Sequence, residues 1–228
     1  MNRRELGLLA CLSVAACAGA RAAHPADPHG PSPMPSQPLP DDAVLTRICF
    51  GSCYVPQFEQ GEVWDAVRRS APDAFLFLGD NVYQSEELGQ PELLELRAAY
   101  ASLAADRWFA ALRATTPVLV TWDDHDYGMN DAGAEFVARR ESEALFKHVW
   151  AVRAHDPRAR REGVYHHRTV GVEGARTQII LLDTRYFRTS SDMLGDAQWR
   201  WLEEILTEQA EVRILASSIS VLSEAAQG

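Results

Sequence analysis

Two stretches of the sequence decide the fold: Ala74-Phe75-Leu76-Phe77-Leu78-Gly79-Asp80 and Pro117-Val118-Leu119-Val120-Thr121-Trp122. Each is a short, continuously apolar run without the alternation of a half-buried strand, which predicts a strand covered on both faces. Helical patterns alternate with such strands along the chain, and this alternation predicts a layered α/β fold. The predicted strands are 45–50, 74–78, 117–122, 164–172, 176–182 and 212–221, and the predicted helices are 61–69, 91–112, 141–152 and 196–209.

Composition and charge are those of an ordinary soluble globular protein. Of the 228 residues, 46% are hydrophobic and 24% are charged, which excludes disordered, fibrous and multi-span membrane classes. The length predicts one domain with a sizeable core. The 22 basic and 32 acidic residues give a formal net charge of −10. This charge opposes attraction to phosphate backbones, so nucleic acid is not an expected partner.

The N-terminus has the pattern of an export signal. Two arginines precede an apolar run, Leu6–Ala16, which is too short to span a bilayer and has the length of a signal-peptide core. The run leads into Cys17 in a lipobox-like sequence, which favours cleavage before Cys17 and its lipidation. Ordinary cleavage after a small-x-small site within 18–22 is the alternative. We expect residues 1–22 to form a lipoprotein-type signal peptide, directing the protein to the periplasm or the outer membrane of a bacterium.

A proline-rich segment follows at residues 23–43. It holds seven of the chain's twelve prolines and few large apolar side chains, which predicts an extended polyproline-like linker without a core. Such a linker suits a domain whose only membrane contact is a lipid anchor. A proline-rich ligand for a partner's aromatic groove is the alternative. The folded domain is expected over 44–228.

Potential metal ligands follow the predicted strands. Cys53, Asp80 and Asp124 come just after the first three strands, and open α/β sheets place their sites at these carboxyl ends. We therefore expect the three strand ends to converge on a metal site. Cys49 and Cys53 would lie about 13 Å apart on one extended run, too far for a disulfide. A buried, unreactive thiol is the alternative for Cys53.

The segment after the third strand concentrates polar groups. Residues 123–131 hold four carboxylates, the imidazole of His125 and the carboxamide of Asn130. Closely spaced like charges resist ionising together unless a cation neutralises them. This favours a metal site, and a solvated acidic loop is the alternative. The sequence lacks the motifs of serine hydrolases, P-loop enzymes and dinucleotide enzymes.

Five motifs follow one another along the chain: Phe50-Gly51-Ser52-Cys53, Phe77-Leu78-Gly79-Asp80-Asn81-Val82-Tyr83, Thr121-Trp122-Asp123-Asp124-His125-Asp126, Leu182-Asp183-Thr184-Arg185-Tyr186 and Gln198-Trp199-Arg200-Trp201-Leu202. With these motifs in this order, the chain resembles the alkaline phosphatase D (PhoD-like) family of metallophosphatases over about residues 45–222. The resemblance implies a calcineurin-like metallophosphoesterase sandwich with an α/β/β/α order of layers. It also implies hydrolysis of small-molecule phosphate esters by a metal-activated hydroxide.

The resemblance further implies metal ligands. Cys53 would ligate one metal, Asp80 would bridge two metals, and Asp124 would ligate the second. A thiolate together with a phenolate favours iron(III), and the spacing leaves Tyr83 and Tyr100 open as the source of that phenolate.

Three other residues complete the expected site. Oxygens of Asn130, with those of Asp124, suit calcium or another hard cation. His125 resembles the family's histidine that faces the scissile phosphate, where it would supply a proton or positive charge to the leaving oxygen. Arg185, in the fourth motif, is expected to bind the substrate.

The resemblance ends near the C-terminus of the chain, before one further sequence element of the family. After residues 212–222 the family continues to a Gly-Asp-x-His element with further ligands, and we expect an incomplete domain whose C-terminal part is missing. Two functions stay open: an exported phosphatase or phosphodiesterase, and a non-catalytic, lipid-anchored remnant with at most one weakly bound metal. Monoester and diester substrates are both compatible with the sequence.

Overall fold

The computed structural model describes residues 30–55, 61–85 and 90–221. The predicted signal peptide, with Cys17, and the first part of the proline-rich segment lie outside these ranges. Among the described residues, no helix has both the length and the apolar character needed to cross a bilayer.

Three strands form a parallel sheet: β1 (Ile48–Gly51), β2 (Ala74–Leu78) and β3 (Val118–Thr121). The central strand is β2. Its side chains alternate between two apolar clusters, Phe75 and Phe77 in a larger one and Leu76 in a second. Because neither face of β2 meets water, neither face needs polar residues, which explains the unbroken apolar run. The prediction of a strand covered on both faces is confirmed.

A second sheet contains β4 (His166–Val170), β5 (Thr177–Leu181) and β6 (Val212–Ala216), in that order. β4 and β5 form an antiparallel hairpin, and β6 pairs with β5 in parallel. All five residues of β5 are buried. β6 lies at the edge of this sheet, where the side chains of Val212 and Leu215 are about half exposed.

The two sheets pack face to face, and helices cover their outer sides. Leu76 of the first sheet and Leu181 of the second belong to the cluster between them. The helices are α1 (Gly61–Arg69), α2 (Leu94–Ala105), α3 (Arg107–Arg113), α4 (Asp124–Tyr127), α5 (Arg139–Val149) and α6 (Gly195–Ile205). Side chains of α1, α2, α3 and α5 join the larger cluster against the first sheet, and α6 packs on the second. The predicted α/β/β/α arrangement is thereby confirmed.

One predicted helix is two helices in the structure. The sequence pattern predicts a single helix over 91–112, whereas α2 ends before Asp106 and α3 begins after it. The Asp106 carboxylate accepts hydrogen bonds from the backbone N–H groups of Trp108 (2.7 Å) and Phe109 (3.2 Å). A side-chain acceptor that caps the first turn of α3 stabilises a helix start at this point, which explains the break.

Residues 30–43 pack on the domain, and we call them the N-terminal strap. Met34 is 1% exposed and belongs to the larger cluster. Its N–H donates to a carbonyl of α5 (2.6 Å), and the Arg113 guanidinium donates to the Pro35 carbonyl (2.9 Å). The prediction of a linker without a place in the core is therefore wrong for these residues. Their extended backbone forms no internal hydrogen-bond ladder, so its polar groups are free to bond to the domain.

Candidate metal centre

The strand ends that carry the predicted ligands meet at one edge of the first sheet. Cys53 follows β1, Asp80 follows β2, and Asp124 begins α4 just after β3. Donor atoms of Asp80, Asp124 and His125 all lie within 4.8 Å of one another, and we call these three residues the acidic cluster. The convergence follows from the parallel order of β1, β2 and β3, whose carboxyl ends share an edge.

Unusual backbone conformations let the strand ends approach. Gly79 has a φ of +103°, and a Cβ atom there would lie 2.8 Å from the backbone nitrogen of Asp123. Only glycine allows the loops after β2 and β3 to come so close. Asp80 and Cys53 have φ values of 50° and 57°, a left-handed conformation that costs about 1–2 kcal/mol for a residue with a side chain. Strained positions of this kind concentrate at functional sites.

Asp80 is the central carboxylate of the site. Its Oδ2 accepts a hydrogen bond from the Tyr83 hydroxyl (2.8 Å) and lies 3.7 Å from the Cys53 sulfur. Its Oδ1 lies 3.4 Å from the backbone nitrogen of His125. Burial raises the pKa of Asp80, the Tyr83 hydroxyl opposes this, and the charge of Asp124 raises it further. A cation bound here would stabilise the ionised carboxylate.

Asp124 lies in a more favourable environment for its charge. Its Oδ2 accepts a hydrogen bond from the backbone N–H of Asp131 (2.8 Å), and its Oδ1 lies 3.8 Å from the Arg185 guanidinium. Burial raises the pKa of Asp124, but the Asp131 N–H and the Arg185 charge outweigh this effect and lower it below its usual value. Asp124 is therefore ionised at neutral pH and suited to bind a cation.

Tyr83 and His125 lie side by side next to Asp80. Their ring centroids are 4.4 Å apart. Burial raises the pKa of Tyr83, and its contacts with Cys53 and Asp80 raise it further, so the hydroxyl is a donor to Asp80. Tyr100, the alternative phenolate, is fully buried in the larger cluster. The structure thus brings Tyr83, and not Tyr100, to the acidic cluster.

Two predicted site residues have other partners. Asn130 is exposed, and its amide donates to the Asp131 carboxylate (3.0 Å). The side chain of Arg185 is only 5% exposed, and its guanidinium pairs with Asp123 and Asp124. Arg185 therefore acts as an internal counter-ion for two carboxylates and does not present a free guanidinium to a substrate, contrary to expectation.

The two cysteines in the described residues are unpaired, as predicted. Cys49 is half-buried against the larger cluster, with its sulfur 3.4 Å from the Ser70 hydroxyl. Cys53 is exposed beside Asp80. The alternative of a buried, unreactive thiol is therefore wrong for Cys53 and describes Cys49 better.

Asp126 has a role that sequence reasoning missed. It is fully buried, and its Oδ1 accepts hydrogen bonds from the backbone N–H groups of Asp123 (2.6 Å) and Asp80 (3.2 Å). Its Oδ2 accepts from the backbone N–H of Asn81 (3.3 Å) and from the Asn81 amide. Burial raises the pKa of Asp126 well above its usual value. Asp126 therefore ties the end of β2 to the end of β3 and does not join the ligand set.

Asp183 is a second buried anchor that was missed. Its Oδ1 accepts hydrogen bonds from the Trp122 indole (2.7 Å) and from the backbone N–H of Arg185 (3.0 Å). Its Oδ2 accepts from the backbone N–H of Val164 (2.9 Å). These bonds fix the segment that carries Arg185 against the end of β3. The available signal was its position directly after an apolar strand, the same as that of Asp80.

The donor set fits a metal centre. Two carboxylates and an imidazole form the acidic cluster, and a thiol and a phenol border Asp80. Carboxylate oxygens suit hard cations such as calcium, whereas thiolate and phenolate favour iron(III). The repulsion that raises the pKa of Asp80 would be relieved by a bound cation.

Comparisons with known proteins show related chains. A family model described as PhoD-like phosphatase matches residues 48–227. A solved structure titled "Structure of PhoD" is similar in fold, with a TM-score of 0.61 and 21% sequence identity. The match covers 82% of this chain and 42% of that one, so this chain spans less than half the length of that structure. No curated protein matches the chain.

Proposed function

The chain belongs to the PhoD-like phosphatase family, and on this premise we propose that it supplies a metal-dependent site for hydrolysing phosphate esters of small molecules. The observation that supports this proposal is the acidic cluster at the ends of β2 and β3, with Cys53 beside it at the end of β1. Because the chain covers 42% of the matched structure, the activity of the whole protein is part of the proposal.

The chemistry of the side chains supports two cation sites that share Asp80. Cys53 and Tyr83 would hold iron(III) together with Asp80, because thiolate and phenolate favour that ion. Asp80 and Asp124 would hold a second, harder cation such as calcium. When bound, such ions stabilise charge on a phosphoryl group and lower the pKa of water.

The chain's own residues would orient the reacting groups. His125 would give a proton to the leaving-group oxygen. Its backbone is held on both sides, since its N–H faces Asp80 Oδ1 (3.4 Å) and its carbonyl accepts from the Gln84 amide (3.0 Å). Arg185 would keep Asp124 ionised and in place. These contacts preorganise the site before substrate arrives.

We also propose that the protein is exported and anchored through a lipid on Cys17. The apolar run Leu6–Ala16 before this cysteine supports the proposal. Since the N-terminal strap packs from about residue 30, residues 18–29 would reach at most about 40 Å between lipid and domain. The site would then act close to the membrane surface.

Metal content and hydrolysis test the proposed site. The full chain is purified, loaded with iron and calcium, and assayed with p-nitrophenyl phosphate as monoester and bis(p-nitrophenyl) phosphate as diester. We expect Cys53→Ser to remove iron and its charge-transfer absorbance, and Cys49→Ala, the matched cysteine control, to retain both. Asp80→Asn should remove metal and turnover together.

Two results would contradict the assignment. The first is equal iron content in the wild type and Cys53→Ser, and the second is undiminished hydrolysis in Asp80→Asn. Bound metal without hydrolysis of either ester would instead favour the non-catalytic alternative for these 228 residues.

A further inference from the structure

A polar cleft lies between β3 of the first sheet and β4 of the second, and we call it the lateral cleft. Its volume is about 620 Å³, and it is lined by β3, β4, α6, the N-terminal strap and the segment after α5. Within the described residues, β3 and β4 each pair with a single strand, so both are edge strands. No residue of the acidic cluster lines this cleft. The lateral cleft is therefore distinct from the candidate metal centre.

The lateral cleft gathers basic side chains in a protein whose net charge is −10. Its lining includes Arg153, Arg158, Arg161 and Arg168 and three of the chain's seven histidines, alongside the carboxylates of Asp156, Glu204 and Glu208. Arg158 pairs with Asp156 (2.7 Å), and Arg168 pairs with Asp41 (2.6 Å). In the part of the chain that the structure describes, neither Arg153 nor Arg161 forms an ion pair. Two positive charges are thus left without an acidic partner.

Arg161 is a preorganised donor. Its guanidinium carbon lies 3.9 Å from the ring centroid of Tyr165 and 5.1 Å from that of Trp201. One terminal nitrogen donates to the Tyr165 carbonyl, whereas Nε is buried without a hydrogen-bond partner among the described residues. A buried donor without an acceptor costs about 1–3 kcal/mol. Because Nε has no accessible surface, an anion in the cleft would bond instead to the second terminal nitrogen, which is not buried and forms no hydrogen bond among the described residues.

We propose that the lateral cleft binds a phosphate-bearing small molecule of about mononucleotide size. A phosphate dianion matches the two unpaired charges of Arg153 and Arg161, and arginine binds phosphate through two parallel N–H groups. The partly exposed ring of Trp201 offers an apolar surface for the organic part of the ligand. The volume of the cleft falls within the range of about 300–1,000 Å³ typical of small-molecule sites.

Isothermal titration of the full chain with AMP tests this site. EDTA is present throughout, so that metals bound at the acidic cluster do not contribute. We expect saturable binding of AMP and at least about tenfold weaker binding of adenosine, which lacks the charge-assisted bonds of the phosphate. Asp80→Asn should bind AMP as the wild type does, which separates this proposal from the phosphatase proposal.

Two arginine variants and one control locate the binding. Arg153→Ala alters an exposed side chain and should fold normally, yet weaken AMP binding about tenfold. Arg161→Lys keeps the charge but loses the planar guanidinium with its terminal N–H donors, and should weaken binding to a similar extent. Arg107→Ala is the matched control, because Arg107 is exposed, stacks on Trp108 and lies outside the cleft.

The proposal is overturned by any of four outcomes. These are no binding of AMP at millimolar concentration, equal binding of AMP and adenosine, equal weakening by Arg153→Ala and Arg107→Ala, and loss of binding in Asp80→Asn. The third outcome would indicate non-specific charge attraction, and the fourth would place the nucleotide at the acidic cluster.

Discussion

Replacing Asp126 by asparagine tests whether one buried carboxylate holds the metal centre in shape. Asparagine has the same size, but one oxygen is replaced by an NH₂ group, which donates hydrogen bonds and accepts none. Oδ1 of Asp126 accepts from the N–H groups of Asp80 and Asp123, and Oδ2 accepts from two nitrogens of Asn81. Whichever way the new amide turns, two of these four donors lose their acceptor.

The structure sets the size of the effect. Leaving a buried donor without its acceptor costs about 1–3 kcal/mol, so two such donors would cost about 2–6 kcal/mol. The variant no longer buries a carboxylate whose pKa burial raises, which offsets part of this loss. We expect a net loss of about 2–4 kcal/mol in the free energy of unfolding. For a domain of this length, that lowers Tm by about 4–16 °C.

Metal affinity should fall with stability, because Asp126 positions the backbone of Asp80 and of Asp123 beside Asp124. Loss of such a supporting contact typically weakens metal binding about 10–100-fold. Thermal unfolding followed by circular dichroism and calcium titration measure the two effects. Asp131→Asn is the matched control, since the exposed Asp131 carboxylate contacts Asn130 and asparagine tolerates its left-handed backbone. If Asp126→Asn matches this control in both measurements, the reasoning is wrong.

Two further predictions concern the N-terminal segments. Met34→Ala should lower the free energy of unfolding, measured in urea, by about 2–4 kcal/mol, because the Met34 side chain is fully buried in the larger cluster. A loss below about 0.5 kcal/mol would show that the N-terminal strap is not packed in solution. When the protein is expressed in a host that processes lipoproteins, the wild type should partition into the detergent phase, whereas the Cys17→Ser variant should be released from the membrane or stay unprocessed. An unmodified mature N-terminus at Arg21 or later would contradict the lipid anchor.

The sequence by itself determined the layers of the fold and the three strand ends of the site. Its unbroken apolar runs predicted strands covered on both faces, because a strand between two layers has no polar side. Parallel neighbours end at the same edge of a sheet, so Cys53, Asp80 and Asp124 could be expected to meet. These inferences needed only local patterns and one general rule of α/β architecture.

Only the tertiary structure decided which members of the acidic run enter the site. Asp124, His125 and Asp126 are consecutive, and successive side chains in a helix such as α4 are rotated by about 100°. Asp124 and His125 consequently reach the acidic cluster, whereas Asp126 turns into the protein interior. The identity of the residues is the same in either orientation, so composition could not distinguish a ligand from an anchor.

The N-terminal strap shows the same limit of sequence patterns. A proline-rich composition indicates that a segment lacks a core of its own and has an extended backbone. Whether distant residues cover that segment depends on the assembled fold, in which α5 offers a carbonyl to Met34 and Arg113 reaches the Pro35 carbonyl. Periodicity reports burial along one element, but contacts between segments far apart in the chain arise only when the layers pack.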